Sequence, residues 1–149
     1  MSGISLDYHI DFEQPVRAMR ALSVADRAGL MSNIAEFVVV ETHLNFDNQT
    51  APDGTPWTPS ERGLIEGKTL QDHGHLRDSI TYILDTSAES VEIGSNMEYA
   101  AIHQFGGQAG RNKSVEIEAR PYLGITPDMQ NEIGDLVIQF HDEVLSRVS

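Results

Sequence analysis

Leu76-Arg77-Asp78-Ser79-Ile80-Thr81-Tyr82-Ile83-Leu84 places apolar side chains at Leu76, Ile80, Tyr82 and Leu84, on alternate positions, with Arg77, Ser79 and Thr81 between them. A period of two marks a half-buried strand, because successive side chains leave an extended backbone on opposite faces. Asp78 alone interrupts the apolar face. Thr86 to Glu89 supplies a hairpin loop, and Val91 and Ile93 resume the alternation as far as Gly94, so two antiparallel strands are predicted. Val115, Ile117 and Ala119, alternating with Glu116 and Glu118, predict a further strand that stops where Pro121 lacks a backbone donor.

Helical signals flank these strands. Asp11 precedes a short helix from Phe12 to Leu22, with Pro15 near its start, where a missing N–H costs nothing. Ser23 stands three residues before Asp26, a capping-box-like start for a helix running to about Leu44, in which Leu30, Ile34, Phe37 and Val38 form a buried stripe. The Val38-Val39-Val40 run works against this, since branching at Cβ favours strands. Tyr99 to Gln104 suits one or two helical turns ended by Gly106 and Gly107. Thr126-Pro127-Asp128 combines a hydroxyl cap, a first-turn proline and an acid at the positive end of the dipole. Met129, Ile133, Leu136, Val137, Phe140 and Val144 continue it as one apolar stripe. The expected fold is α+β, an antiparallel sheet packed against two longer helices with a short extra helix, and residues 1–149 form a single domain.

Three stretches read as connections: Asn45 to Pro59, where Pro52-Asp53-Gly54 is a turn signal and Trp57 pins the loop to the domain or reaches a partner; Gly63 to Gly74; and Gln108 to Lys113, glycine-punctuated and locally basic. The first and last are expected to order only against partners.

Composition narrows the function. A chain of 149 residues, 40% hydrophobic, can bury a core without metal or disulfide support. With no cysteine it has no thiolate nucleophile, disulfide framework or cysteine metal site. The longest apolar run, Phe37 to Val40, is far short of the ~20 residues a membrane span needs, and the N-terminus has no secretion signal. A net charge of −13 with only 10 Lys and Arg argues against specific nucleic-acid binding and fits a partner with a basic surface.

Catalytic and metal signatures fail on spacing. In Asp72-His73-Gly74-His75 the two imidazoles would leave an extended chain on opposite faces, and His141-Asp142-Glu143 lacks a histidine one helical turn away. His103 lies beside Phe105 and two glycines with no nucleophile to assist. Gly106-Gly107-Gln108-Ala109-Gly110 is not a phosphate loop, and Asp128, Glu132 and Asp135 lack calcium-loop spacing and read as a solvated helix face. No catalytic residue, metal ligand or cofactor is assigned.

An ordered series of short motifs carries more. Pro52-Asp53-Gly54-Thr55-Pro56-Trp57 is followed by Gly74-His75-Leu76 opening a strand, then by Tyr99-Ala100-Ala101-Ile102-His103-Gln104-Phe105-Gly106-Gly107, then by Ala119-Arg120-Pro121-Tyr122-Leu123-Gly124. From Phe46 to Leu123 this order resembles the phage virion morphogenesis family, the tail completion proteins of contractile-tailed phages. The resemblance implies a non-enzymatic structural part of a virus particle, or of a prophage, acting at the head–tail interface. Its partners would be other neck, connector and tail proteins, and copies of itself in a ring around the DNA channel, with assembly in the host cytoplasm. Trp57, Tyr99, His103, Gln104, Phe105, Arg120 and Tyr122 are the positions expected to meet partners, or else to hold the short helix against the Arg120-Pro121 turn. Two readings compete from other classes: an acidic regulator that binds a basic protein, and a metal-dependent hydrolase built on the histidines.

Overall fold

The computed structural model describes residues 3–9, 13–60 and 74–147. In chain order the elements are β1 (Ile4–His9), α1 (Glu13–Arg20), α2 (Val24–Asn48), α3 (His75–Asp78), β2 (Thr81–Leu84), β3 (Ser90–Ser95), α4 (Ala100–Phe105), β4 (Gly107–Ala109), a 3-10 turn (Arg111–Lys113), β5 (Val115–Ile117) and α5 (Pro127–Ser146). The fold is α+β, as expected. Three strands form one sheet in the order β1-β3-β2, and β4 pairs with β5 in a two-stranded antiparallel ribbon, Gly107 opposite Ile117 and Ala109 opposite Val115. No helix among the described residues is long and apolar enough to cross a membrane.

The chain divides into two compact units. One comprises Asp7–Val38, Tyr82–Ile93 and Ile125–Ser149. Here the Ser23 hydroxyl accepts from the Asp26 N–H at 3.1 Å and starts α2, and the Thr126 hydroxyl accepts from the Met129 N–H at 3.2 Å and starts α5. Leu30, Met31, Ile34 and Val38 on α2, and Met129, Ile133 and Val137 on α5, are buried at helical spacing. Gly29 leaves room for the Phe140 ring, and α1 packs on α5, where Pro15 lies against Gly134. Val38-Val39-Val40 is helical despite its propensity, because burying Val38 on the stripe outweighs the few tenths of a kcal/mol that branching costs a helix. Turn 85–89 joins β2 to β3. Asp85 accepts from Ser87 Oγ and from the N–H groups of Glu89 and Ser90, which hold its carboxyl below the usual range.

The other unit comprises Met1–Leu6, Val39–Thr81 and Gly94–Gly124. Its core gathers Thr42 and Phe46 from the end of α2, Trp57, Leu76, Ile80, Ser95, Ala100, Tyr122 and Leu123. Gly94 is required where β1 crosses it: a Cβ there would run into the Ile4 carbonyl oxygen.

Three expectations need correction, and one strand stands where none was expected. Helix α2 runs to Asn48, four residues past Leu44, because Phe46 is a core residue. Residues 76–78 are not strand but part of α3. Gly74 at φ 70° turns the chain, the Asp78 N–H returns to the Gly74 carbonyl at 2.9 Å, and the Ser79 hydroxyl donates to the Leu76 carbonyl at 2.7 Å. Asp78, the residue out of step with the alternation, sits in this turn. Gln108 to Lys113 is not an irregular loop but carries most of β4 and the 3-10 turn, and β1 was not foreseen at all. Phe12, Asp11 and the stretch from Gly63 to His73 lie outside the described residues.

A clamp around the short helix

Phe46 seeds the site. Its ring lies 5.8 Å from Trp57, edge-on at 83°, and 4.9 Å from Tyr122, tilted at 32°. Trp57 reaches it through a tight turn in which Ala51 and Gly54 bond, the Thr55 N–H donates to Asp53 Oδ1 at 2.9 Å, and the Trp57 N–H returns to the Gln49 carbonyl at 2.8 Å. The indole Nε1–H donates to the Pro121 carbonyl at 2.7 Å, so the polar tip of the ring is satisfied as its apolar body is buried. Pinning is thus what Trp57 does.

Gln104 works in the opposite direction, from α4 onto the 122–123 backbone. Its Oε1 accepts from the N–H groups of Tyr122 and Leu123 at 3.0 and 3.1 Å, and its Nε2 donates to the Leu123 carbonyl at 2.8 Å. One side chain thereby satisfies three backbone groups of a segment that belongs to neither helix nor sheet. The Tyr122 phenol donates to the Ala100 carbonyl at 2.6 Å, and burial raises its pKa, so it stays a donor. Asn45 Nδ2 takes the Tyr122 carbonyl at 2.9 Å. The Arg120 N–H donates to the His103 carbonyl at 2.8 Å, while its buried guanidinium donates from Nε to the Thr58 carbonyl at 2.7 Å and lies 4.0 Å from Glu118.

Of the seven positions expected to meet partners, Trp57, Gln104, Arg120 and Tyr122 therefore spend their polar atoms on the chain's own backbone. Tyr99 and Phe105, at the two ends of α4, are instead exposed. Phe105 is 72% exposed and Tyr99 39%. His103 lies between them, its ring edge-on to Tyr99 at 5.8 Å. Its Nδ1 is buried without a hydrogen-bond partner among the described residues. Desolvation, then the nearby charge of Arg120, holds the imidazole below its usual pKa, so it is neutral at pH 7. A neutral imidazole could accept a proton, but no hydroxyl is bonded to it among the described residues. His75 is exposed on α3 and His141 lies on α5 beside Asp142. His73 lies outside the described residues, and among those described no three of His, Asp and Glu gather as metal ligands.

Gly106 fixes the direction in which Phe105 projects. Its N–H closes α4 on the Ile102 carbonyl at 2.7 Å, and at φ 74° with a Cβ position 2.9 Å from the Ala119 nitrogen it admits only glycine. With positive φ at Gly106 and Gly107 the chain turns directly into β4, and Phe105 is left at that turn.

Residues 11–141 match the phage virion morphogenesis family, and the chain belongs to it. It is 38% identical over 113 residues to the Mu-like prophage FluMu G protein 2 of Haemophilus influenzae, covering 76% of this chain and 77% of that one. It is 30% identical over 147 residues to the putative capsid assembly protein G of Escherichia phage Mu, covering 91% and 93%, and 27% identical over 135 residues to tail completion protein S of Escherichia phage P2, covering 80% and 87%. No solved structure matches the chain. Its role is structural, in assembly of the virion.

Proposed function

We propose that this protein is a non-catalytic part of the neck of a tailed phage or prophage particle, where it completes the tail and holds it to the head. One relative bears a capsid-assembly name and another a tail-completion name, and the head–tail junction is where both descriptions meet. The observation that carries a docking role is Phe105. A large apolar ring held 72% exposed on a braced corner forgoes about 2 kcal/mol that burial would return, and its rigid mounting limits the entropy lost when a partner covers it. Tyr99 and His103 complete the surface that neighbouring neck, connector or tail proteins would cover. Trp57, Gln104, Arg120 and Tyr122 support it from behind. Copies are arranged as a ring around the DNA channel, and with a net charge of −13 some of the excess carboxylates face the lumen, where they keep passing DNA from adhering.

Disrupting the gene in an inducible phage should leave filled heads and finished tails unjoined in electron micrographs of the lysate. Normal infectious particles, or a block before heads fill, would contradict this reading.

A further inference from the structure

The ribbon of β4 and β5 ends in a basic tip. Arg111 and Lys113 are exposed there, in a turn whose Asn112 and Lys113 take φ of 59° and 53°, and neither side chain has an ion-pair partner among the described residues. The ribbon itself is mostly exposed on both strands, with Val115 at 51%. A two-stranded ribbon in water is marginal unless something covers it. In the same unit lies a crevice of about 300 Å³, walled by Pro56, Trp57 and Pro121 and carrying the carboxylates of Asp53 and Glu118. Thr55 N–H donation keeps Asp53 below the usual carboxylate pKa. Glu118 is 56% exposed and forms only a long ion pair, at 4.0 Å, with Arg120, whose Nε–H goes to the Thr58 carbonyl. The crevice thus sets two carboxylates beside apolar walls, a combination that suits the stem and charged head of a long cationic side chain.

We propose that the Arg111–Lys113 tip of one copy seats in the Pro56–Trp57–Pro121 crevice of a second copy. The tip cannot serve its own crevice. Glu118 follows the base of the ribbon, where Gly107 pairs with Ile117, whereas the tip lies beyond Ala109 and Val115, roughly 10 Å further along. The contact is therefore head-to-tail, each copy giving a tip and receiving one, and it closes into a ring or runs on as a filament. This deepens the ring in the proposed function by naming the surfaces that meet.

Sedimentation of the full chain across a concentration series, at low and moderate salt, tests it. Self-association that weakens with salt is expected, with a change in the fluorescence of Trp57, the sole tryptophan, as copies associate. Arg111→Glu with Lys113→Glu should weaken association by roughly tenfold or more, as should Glu118→Lys. Mixing the two charge-reversed proteins should restore association, because in alternating order the reversed tip meets the reversed crevice and the native tip meets the native one, and combining all three substitutions in one chain should restore it as well. Far-UV circular dichroism identifies a variant that has lost its fold, and Glu118→Gln then replaces Glu118→Lys. A chain that stays monomeric at every concentration, or associates equally well with its tip reversed, overturns the proposal. Neither result would touch the joining phenotype in the lysate, so the two readings fail separately.

Discussion

The clamp around α4 and the ribbon that follows it belong to the same unit and are opposite in physics. In the clamp, Trp57, Gln104 and Tyr122 hold aromatic area and backbone donors out of water, and almost every polar atom has a partner within the chain. The ribbon exposes Val115, leaves Arg111 and Lys113 without an ion-pair partner among the described residues, and holds itself together with three residue pairs. Phe105 stands at the junction, the last residue of α4 and largely exposed. The difference separates residues whose polar atoms are spent inside the chain from residues left exposed, although both kinds lie within one stretch of family sequence.

Substitutions should divide along the same line. The largest effect is expected at Tyr122→Ala, which removes the ring stacked on Phe46 and the donor to Ala100. It should cost about 4 kcal/mol in urea unfolding, and a loss below 1 kcal/mol would mean that the stack is not part of the core. Gln104→Leu strips the acceptor from two N–H groups and the donor from one carbonyl, for about 2 kcal/mol. Gln104→Glu, which keeps the acceptors but puts a carboxylate against the Leu123 carbonyl, sharpens the test and should also destabilise. Arg120→Ala belongs with this group. It should lower the midpoint of unfolding, whereas an unchanged midpoint with failed joining would move Arg120 to the docking surface.

A smaller effect concerns pH. Because the folded protein lowers the pKa of His103 from 6.5, the unfolded chain binds the extra proton first as pH falls. The contribution is therefore absent as a penalty above about pH 6.5, and stability declines as pH drops below it towards the folded value. His103→Gln should remove that component, seen as a flatter profile of unfolding midpoints between pH 7.5 and 5. An unchanged slope would assign the decline to other groups. At the bottom of the scale, Arg111→Glu with Lys113→Glu should shift monomer stability by no more than about 0.5 kcal/mol.

Sequence patterns revealed some of this better than the rest. The capped starts at Ser23 and Thr126 and the stop at Gly106 were legible because each depends on neighbours within a few residues. The strand at Ile4–His9 was not, since a single strand with no adjacent hairpin partner gains its definition from pairing with β3, far along the chain. Residues 76–78 mimic a strand because Leu76 happens to keep step with Ile80, and only Asp78 betrays the turn. The site was half legible. The motif order led to residues that gather around α4, but composition cannot distinguish a Trp or Gln turned inward from one offered to a partner. That distinction lies in hydrogen bonds between residues 57 and 121 and between 104 and 123.

The claim that stability and docking are carried by different faces of α4 is tested most directly by Phe105→Asp in an otherwise intact phage, with the purified protein unfolded in parallel. The variant should unfold at the wild-type urea midpoint, yet its lysate should contain filled heads and finished tails that remain separate in electron micrographs. Joined, infectious particles in normal number from a folded Phe105→Asp protein would contradict it.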